Sequence, residues 1–509
     1  MDRRLRAVLI LRNTDLGRNH LVVHTFLALT LLGWVGGGLH AQEEESTSER
    51  RREEEKRREL DQAFESRLME KERTRDMDER DLLADRPSLE KLIGSELDIE
   101  YGGMLNSTFL RFRSGGSNRL YESNLHLWVD LRWKGIHEIY AREWWSYVHY
   151  DSGLFDDRDS NTGPRTDQLW YRLVLDRAIE KAIGAETPFT LDLSVGRIHQ
   201  YLGSGLTYNR VHEGIHLEGT WKNLDAKFFA SRNLPRQSDI DSSRPSPDKT
   251  DRRYYGGEVG WSFPVIRPYG FFLIQKDRNS PFLDEQKWHY DSEYYGGGIL
   301  LTDLPVVPRF RLELEYVHQL GSGTGDGSLE SDPIDAHALI SRISYEFPTE
   351  YGSPTFTFSY LMGSGDSDRL SVSNAVAGNQ AGTTDRSFLY FGFVSTGFSY
   401  APTLTNIHVL SAEWNWWPLA AFDLEDRWGS LSIGISVYGY WKDRVDGGIS
   451  GVSSNLIRRY IGHEFDFFLE WDVSSDLSLF FEYGIFFADE AFDVDGESAF
   501  LSTGVTLKF

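Results

Sequence analysis

Five arginines stand on the polar faces of alternating segments: Arg132, Arg172, Arg309, Arg311 and Arg342. Carboxylates share those faces, with Asp130 beside Arg132, Glu313 and Glu315 beyond Arg311, and Asp192 on a further segment. A guanidinium carries five N–H donors in a rigid fork and stays charged, so its chemistry is reversible pairing with anions. Such arginines either meet an anionic solute or pair with neighbouring acids across strands and stiffen the fold. Bond-breaking chemistry has less to work with. The sequence has no Gly-x-Ser-x-Gly elbow, no His-Glu-x-x-His and no phosphate-binding Gly loop with Lys. Gly203-Ser204-Gly205 lacks the elbow's spacing, and His463-Glu464 lacks a second His four positions after the first. The 509 residues contain no Cys, which excludes disulfides and thiolate metal centres. No catalytic group, cofactor or metal is expected.

The segments that position these arginines alternate with period two. Leu125, Leu127, Val129, Leu131 and Trp133 share one face of residues 125–133, opposite His126, Trp128, Asp130 and Arg132. Phe310, Leu312, Leu314 and Tyr316 alternate with Arg309, Arg311, Glu313 and Glu315. Phe465, Phe467, Leu469 and Trp471 alternate with Glu464, Asp466, Phe468, Glu470 and Asp472. The chain is only 40% hydrophobic yet 14% aromatic, with 47 Gly. That balance fits strands in which every second residue faces lipid. No stretch approaches 18 consecutive apolar residues, so a membrane would be crossed by strands. The segment 498–509 is amphipathic and ends on Phe509, which resembles the signal by which Gram-negative barrels are recognised for insertion. The pattern predicts an all-β fold, a transmembrane antiparallel β-barrel of about 18 strands over residues 92–509 in the outer membrane. A barrel of that size leaves an aqueous lumen.

Two segments precede it. Residues 1–41 read as a signal peptide: five Arg, then the apolar run Leu21–Val35, then a small-residue site ending at Ala41. Residues 42–91 hold 13 Lys and Arg, 18 Asp and Glu and no Gly. They read as a charged periplasmic segment, helical or disordered.

Four stretches resemble the alginate-export porins, an outer-membrane family that carries anionic exopolysaccharide out of the cell. They are Leu193-Ser-Val-Gly-Arg197 with its return at Glu213-Gly-Ile-His-Leu217, Gly363-Ser-Gly-Asp366, Leu404-Thr-Asn-Ile-His-Val-Leu410, and Ile461-Gly-His-Glu-Phe-Asp-Phe467. The resemblance implies a wide barrel whose lumen is lined by Arg and partly gated by loops. Each uronate carboxylate would find a guanidinium fork, while neighbouring Asp or Glu would keep any one site from holding too tightly. The family motif has Arg at position 197, so Arg197 joins the pore candidates. Strict alternation from Leu193 and Val195 would instead point it at lipid, unless a bulge at Gly196 or a place beyond the membrane intervenes.

The expected function is export of an alginate-like polyuronate through an Arg-lined lumen. A general or substrate-specific nutrient porin is the alternative, and a barrel lipase or deacylase a third reading. The partners would be the anionic polysaccharide, outer-membrane lipid and a periplasmic secretion scaffold. Nucleic acid is excluded by the acidity of the chain, whose pI is near 5.0. Residues 92–509 carry 36 Lys and Arg against 58 Asp and Glu. Export of a polyanion therefore requires the acid to gather in loops, as at Asp156, Asp157, Asp159, Asp366 and Asp368.

Overall fold

A computed structural model describes residues 97–509, apart from 114–116, 153–158, 235–250, 279–288, 325–330, 370–378, 450–455 and 493–495. The expected signal peptide, the charged segment 42–91 and residues 92–96 lie outside the described residues. The remainder forms one 18-stranded antiparallel sheet in which each strand pairs with its sequence neighbours. The strands are β1 (Leu97–Arg113), β2 (Ser117–Trp133), β3 (His137–Ser152), β4 (Ser160–Val174), β5 (Phe189–Leu202) and β6 (Tyr208–Trp221). Next come β7 (Leu224–Arg232), β8 (Arg252–Trp261), β9 (Ile266–Asp277), β10 (Tyr290–Leu304), β11 (Val307–Thr324) and β12 (Ser331–Glu346). The last six are β13 (Thr355–Gly363), β14 (Ile407–Trp416), β15 (Ser430–Lys442), β16 (Tyr460–Ser474), β17 (Leu477–Ala488) and β18 (Glu497–Lys508). Helix α1 (Leu175–Ile183) joins β4 to β5, and two single turns of helix, α2 (Pro418–Ala421) and α3 (Glu425–Trp428), join β14 to β15.

β1 pairs with β18 in continuous register from Met104↔Lys508 to Arg113↔Ala499, so the sheet closes on itself. Closure follows from the solvent: an open edge in hydrocarbon would leave N–H and C=O groups without water, at several kcal/mol each. The alternation holds in three dimensions. On β2, Asn118, Glu122, Asn124, His126 and Asp130 are buried inside, whereas Tyr121, Leu127 and Trp133 are exposed outside. Tyr121 and Trp133 lie twelve positions apart, about 40 Å of strand at roughly 3.3 Å per residue. At a tilt near 45° this spans about 28 Å, close to the apolar band of an outer-membrane barrel. Trp221, Trp261 and Phe356 continue the aromatic girdle near one rim, and Tyr147, Tyr255, Tyr295 and Tyr316 near the other.

The two ends differ. One carries short links such as Lys134–Ile136, Lys222–Asn223, Pro305–Val306 and Ser475–Asp476. Lys134 and Gly135 both take left-handed φ, 57° and 62°, the hand that matches strand twist in a tight hairpin. The opposite end carries the long connections, of which residues 364–406 form the longest. Short links face the periplasm and long ones the exterior.

Candidate functional site

Inward-facing arginines gather near the short-link end. Arg132 on β2 reaches four carboxylates: Asp130 at 2.6 Å, Glu100 at 3.4 Å, Glu138 at 3.6 Å and Asp98 at 3.9 Å. Glu138 also accepts Arg172 at 2.9 Å. Register makes this a ladder of alternating charge across four strands, with Asp98 opposite Arg132, Arg132 opposite Glu138 and Glu138 opposite Arg172. Asp192 on β5 completes the arc, and its Oδ1 is buried without a hydrogen-bond partner among the described residues. A cavity of about 500 Å³ opens between Arg132, Glu138, Arg172, Asp192 and the first turn of α1, where Asp176 and Arg177 face it.

Across the lumen, Arg342 on β12 holds Glu313 on β11 at 3.0 Å. Arg311 is exposed and has no ion pair among the described residues. Arg309 sits at the rim with φ 64°. It donates to the Phe347 carbonyl at 2.9 Å and pairs with Glu346 at 3.6 Å, so turn geometry rather than alternation sets its direction. Arg267 on β9 was not among the sequence candidates. It meets Asp225 at 2.5 Å and Glu258 at 3.0 Å. Gly260 on the intervening β8 makes this crossing feasible, since a Cβ there would lie 2.5 Å from the guanidinium. The strand parity of Arg267, Tyr269, Phe271, Leu273 and Gln275 could have found it.

The other half of the lumen is filled. β5 pairs with β4 only as far as Arg197↔Leu169, and β6 pairs with β7 only from Glu213↔Arg232. Beyond those points, among the strands of the wall, the two pair with each other alone, from Ile198↔His212 to Leu202↔Tyr208, while Tyr208 also bridges Phe391 of the long connection. This hairpin leaves the wall and enters the lumen. At its tip Gly203 N–H donates to Glu258 at 2.8 Å, and Ser204 donates N–H and Oγ–H to Glu315, each at 2.7 Å. The described residues of 364–406 also fold inward. Leu389 N–H donates to Gln319 at 3.0 Å, Phe398 N–H to Asp466 at 3.0 Å and Tyr400 N–H to Glu464 at 2.8 Å. Leu206, Tyr208, Phe388, Phe391 and Leu404 pack with wall residues Tyr254, Leu273 and Tyr294 into one buried apolar cluster.

Two expectations need correction. Arg197 is not a lumen group. Val195 and Ile215 are exposed on the outer face, and Arg197 lies just beyond them, donating to the Thr166 carbonyl and to Glu213 at 2.8 Å. Glu213 also takes Arg232, which is 66% exposed at the end of β7. The register through Gly196 is unbroken, so no bulge rotates Arg197 inward. Nor is acid confined to loops. Glu258, Glu315, Glu464 and Asp466 are buried on the wall, where they hold the inward segments, and Asp366 is buried taking the Arg386 and Asp368 N–H groups.

Residues 266–504 match the alginate export family. The chain resembles the alginate-export porins. The match begins at the first residue of β9 and ends within β18, and it includes Arg267, Arg309, Arg311 and Arg342. No curated protein sequence matches the chain. Solved structures share the barrel. Pseudomonas aeruginosa OccK2 (OpdF) aligns with TM-score 0.52 and 10% identity over 81% of this chain and 97% of its own. P. aeruginosa OccK5 (OpdH) aligns with 0.51 and 11% over 81% and 98%. The outer membrane protein opdK from the same organism aligns with 0.50 and 9% over 81% and 99%. At such identity the likeness shows the fold. The matched family and the shared fold are those of outer-membrane channels, and the chain is an outer-membrane β-barrel. In this alginate-export-like barrel the arginine ladder lies in the half at the short-link end, and the inward hairpin and long connection fill the other half.

Proposed function

We propose that the channel exports an anionic exopolysaccharide, an alginate-like polyuronate, from the periplasm. One observation carries this reading: Arg132, Arg172, Arg267, Arg311 and Arg342 stand partly exposed on the lumen wall at the periplasmic half, most of them held by wall carboxylates. A polymer arriving from the periplasm meets guanidinium groups first. Each bound carboxylate displaces a carboxylate already in place, so binding is an exchange of near-equal partners and release stays easy. Asp130, Asp192 and Glu313 are the exchange partners in this scheme. The apolar outer band contacts outer-membrane lipid, and a periplasmic scaffold would deliver the chain.

Deleting the gene in its native host tests the reading. Uronic acid in the medium should fall at least tenfold while it accumulates inside the cell. Unchanged release together with lost uptake of a small solute would overturn export in favour of a nutrient porin.

A further inference from the structure

Three aromatic side chains form a row on the inner wall, one step above the charged ladder. Trp128 on β2, Tyr140 on β3 and Trp170 on β4 all belong to the inward set. Their rings are nearly parallel. Trp128 and Tyr140 have centroids 6.4 Å apart at 17°, and Tyr140 and Trp170 lie 5.3 Å apart at 19°. Gly102 makes room at one end, since a Cβ there would lie 2.7 Å from the Trp128 ring. Gly196 faces Trp170 at the other end in register. The row ends in a cation: the Arg172 guanidinium lies 4.7 Å over the Trp170 ring. Arg172 in turn lines the cavity of about 500 Å³ that also holds Arg132 and the unpartnered Oδ1 of Asp192.

A wall that only had to be wet would place small polar residues here. Trp128 and Trp170 expose part of their surface to the aqueous lumen, with Tyr140 buried between them, and so have an energetic reason to be covered by an apolar surface. The C–H face of a pyranose is such a surface, and its equatorial hydroxyls remain free for water and carboxylates. An acidic sugar adds a carboxylate for the guanidinium fork, and an orphaned carboxylate oxygen accepts one sugar hydroxyl. The cavity has the volume of a small-ligand site. Trp128 lies four residues from Arg132 on β2, about 13 Å at roughly 3.3 Å per residue, so shelf and ladder address sugars a few residues apart along one chain.

We infer that Trp128 and Trp170, braced by the buried Tyr140 between them, form a stacking shelf for pyranose rings of a uronate chain, with Arg172 taking the carboxylate and Asp192 a hydroxyl. This deepens the export reading and rests on it for the acidity of the sugar. The shelf is a capture site for the polymer on the periplasmic side, ahead of the closed half of the lumen.

The test is isothermal titration of the detergent-solubilised full chain with a short oligohexuronate and with a neutral glucose oligomer of equal length. The acidic oligomer should bind at least tenfold more tightly than the neutral one. Combining Trp128→Ala with Trp170→Ala should weaken it about tenfold or more, whereas Trp128→Phe with Trp170→Phe should restore most of the loss. Arg172→Met should weaken binding of the acidic oligomer at least tenfold more than binding of the neutral one. Heat-dependent gel mobility confirms that each variant is a folded barrel. Unchanged binding in the double alanine variant overturns the shelf and leaves export by the arginines alone standing. Equal affinity for both oligomers in the unmodified protein overturns the uronate assignment and, with it, the chemical basis of the export reading.

Discussion

Glu315 on β11 takes both the backbone N–H and the Oγ–H of Ser204, at 2.7 Å each, from a residue 111 positions away. The same carboxylate accepts the Tyr269 hydroxyl at 2.7 Å. One wall residue thus fixes the tip of a hairpin that has left the wall.

Removing it should loosen that tip. Hydrogen bonds to a charged group contribute about 1.5–3 kcal/mol each, so Glu315→Ala is expected to free the hairpin without unfolding an 18-strand barrel. Single-channel conductance in planar bilayers should rise severalfold. Conductance equal to the unmodified protein would show that Glu258 and the apolar contacts hold the hairpin without Glu315.

The long inward connection is the second obstruction. Replacing residues 379–405 by a short Gly-Ser linker removes Phe388, Phe391 and Leu404 from the lumen cluster. Cells carrying this variant should become sensitive to a bulky hydrophilic antibiotic that the outer membrane normally excludes. Unaltered sensitivity would mean that the hairpin alone seals the channel.

Arg309 and Arg311 differ in what holds them, and selectivity should separate them. Arg311 is exposed in the lumen, whereas Arg309 is tied to Glu346 and the Phe347 carbonyl. A fixed charge facing a confined pore sets the local counter-ion concentration. Arg311→Glu should therefore shift the reversal potential towards cations clearly more than Arg309→Glu does. Equal shifts would contradict the difference in their placement.

Gly196 has φ 136°, and a Cβ there would run into the Leu169 carbonyl. It lies where β5 makes its last contacts with β4. Gly196→Val places a β-branched residue in a region that L-residues avoid, at about 1–3 kcal/mol before the clash is counted. The yield of heat-modifiable barrel should drop sharply, and Gly196→Ala should fall between the two.

Asp443 lies just past β15 and anchors the start of the inward connection through the Gly365 N–H at 3.0 Å. Burial pushes its carboxyl up, but hydrogen bonds from His408 and Gly365 outweigh that and leave it below the usual aspartate value. A lowered folded pKa means that the anchor is complete above the unfolded value near 3.9 and is lost as pH falls through the lower folded one. Exchange of the Gly365 amide, followed by mass spectrometry, should stay slow at about pH 5 and about pH 4, and lose its protection only as pH falls below the usual aspartate value. In Asp443→Asn that protection should already be reduced at neutral pH.

The wall was legible in the sequence because a membrane barrel enforces period two with little tolerance. Asp130 and Arg132 fall inside, and Leu127 and Trp133 outside, where alternation puts them. The interior was not legible. Residues 198–212 keep the pairing of a wall hairpin, and only the loss of pairing to β4 and β7 shows that they turn inward. Alternation puts Arg197 on the outer face, where it lies; the family motif, not the period, made it a pore candidate. The apolar residues of 379–406 make only isolated bridges, such as Phe391 to Tyr208, rather than a strand, so no period marks them as lumen filling. The row of Trp128, Tyr140 and Trp170 depends on the register among three strands, a property of turns and shear rather than of any one segment.

The seam between β1 and β18 joins residues such as Asn106 and Thr506, whose side chains bond at 3.0 Å across 400 positions of sequence. Until β18 has been synthesised and delivered, β1 has no partner on that side and the growing sheet has two raw edges. A chain broken off at any earlier strand is thus barred from becoming a leaky pore, and the intact one must be kept from aggregating during transit. The geometry of closure makes assembly an all-or-nothing event, decided last by the strand made last.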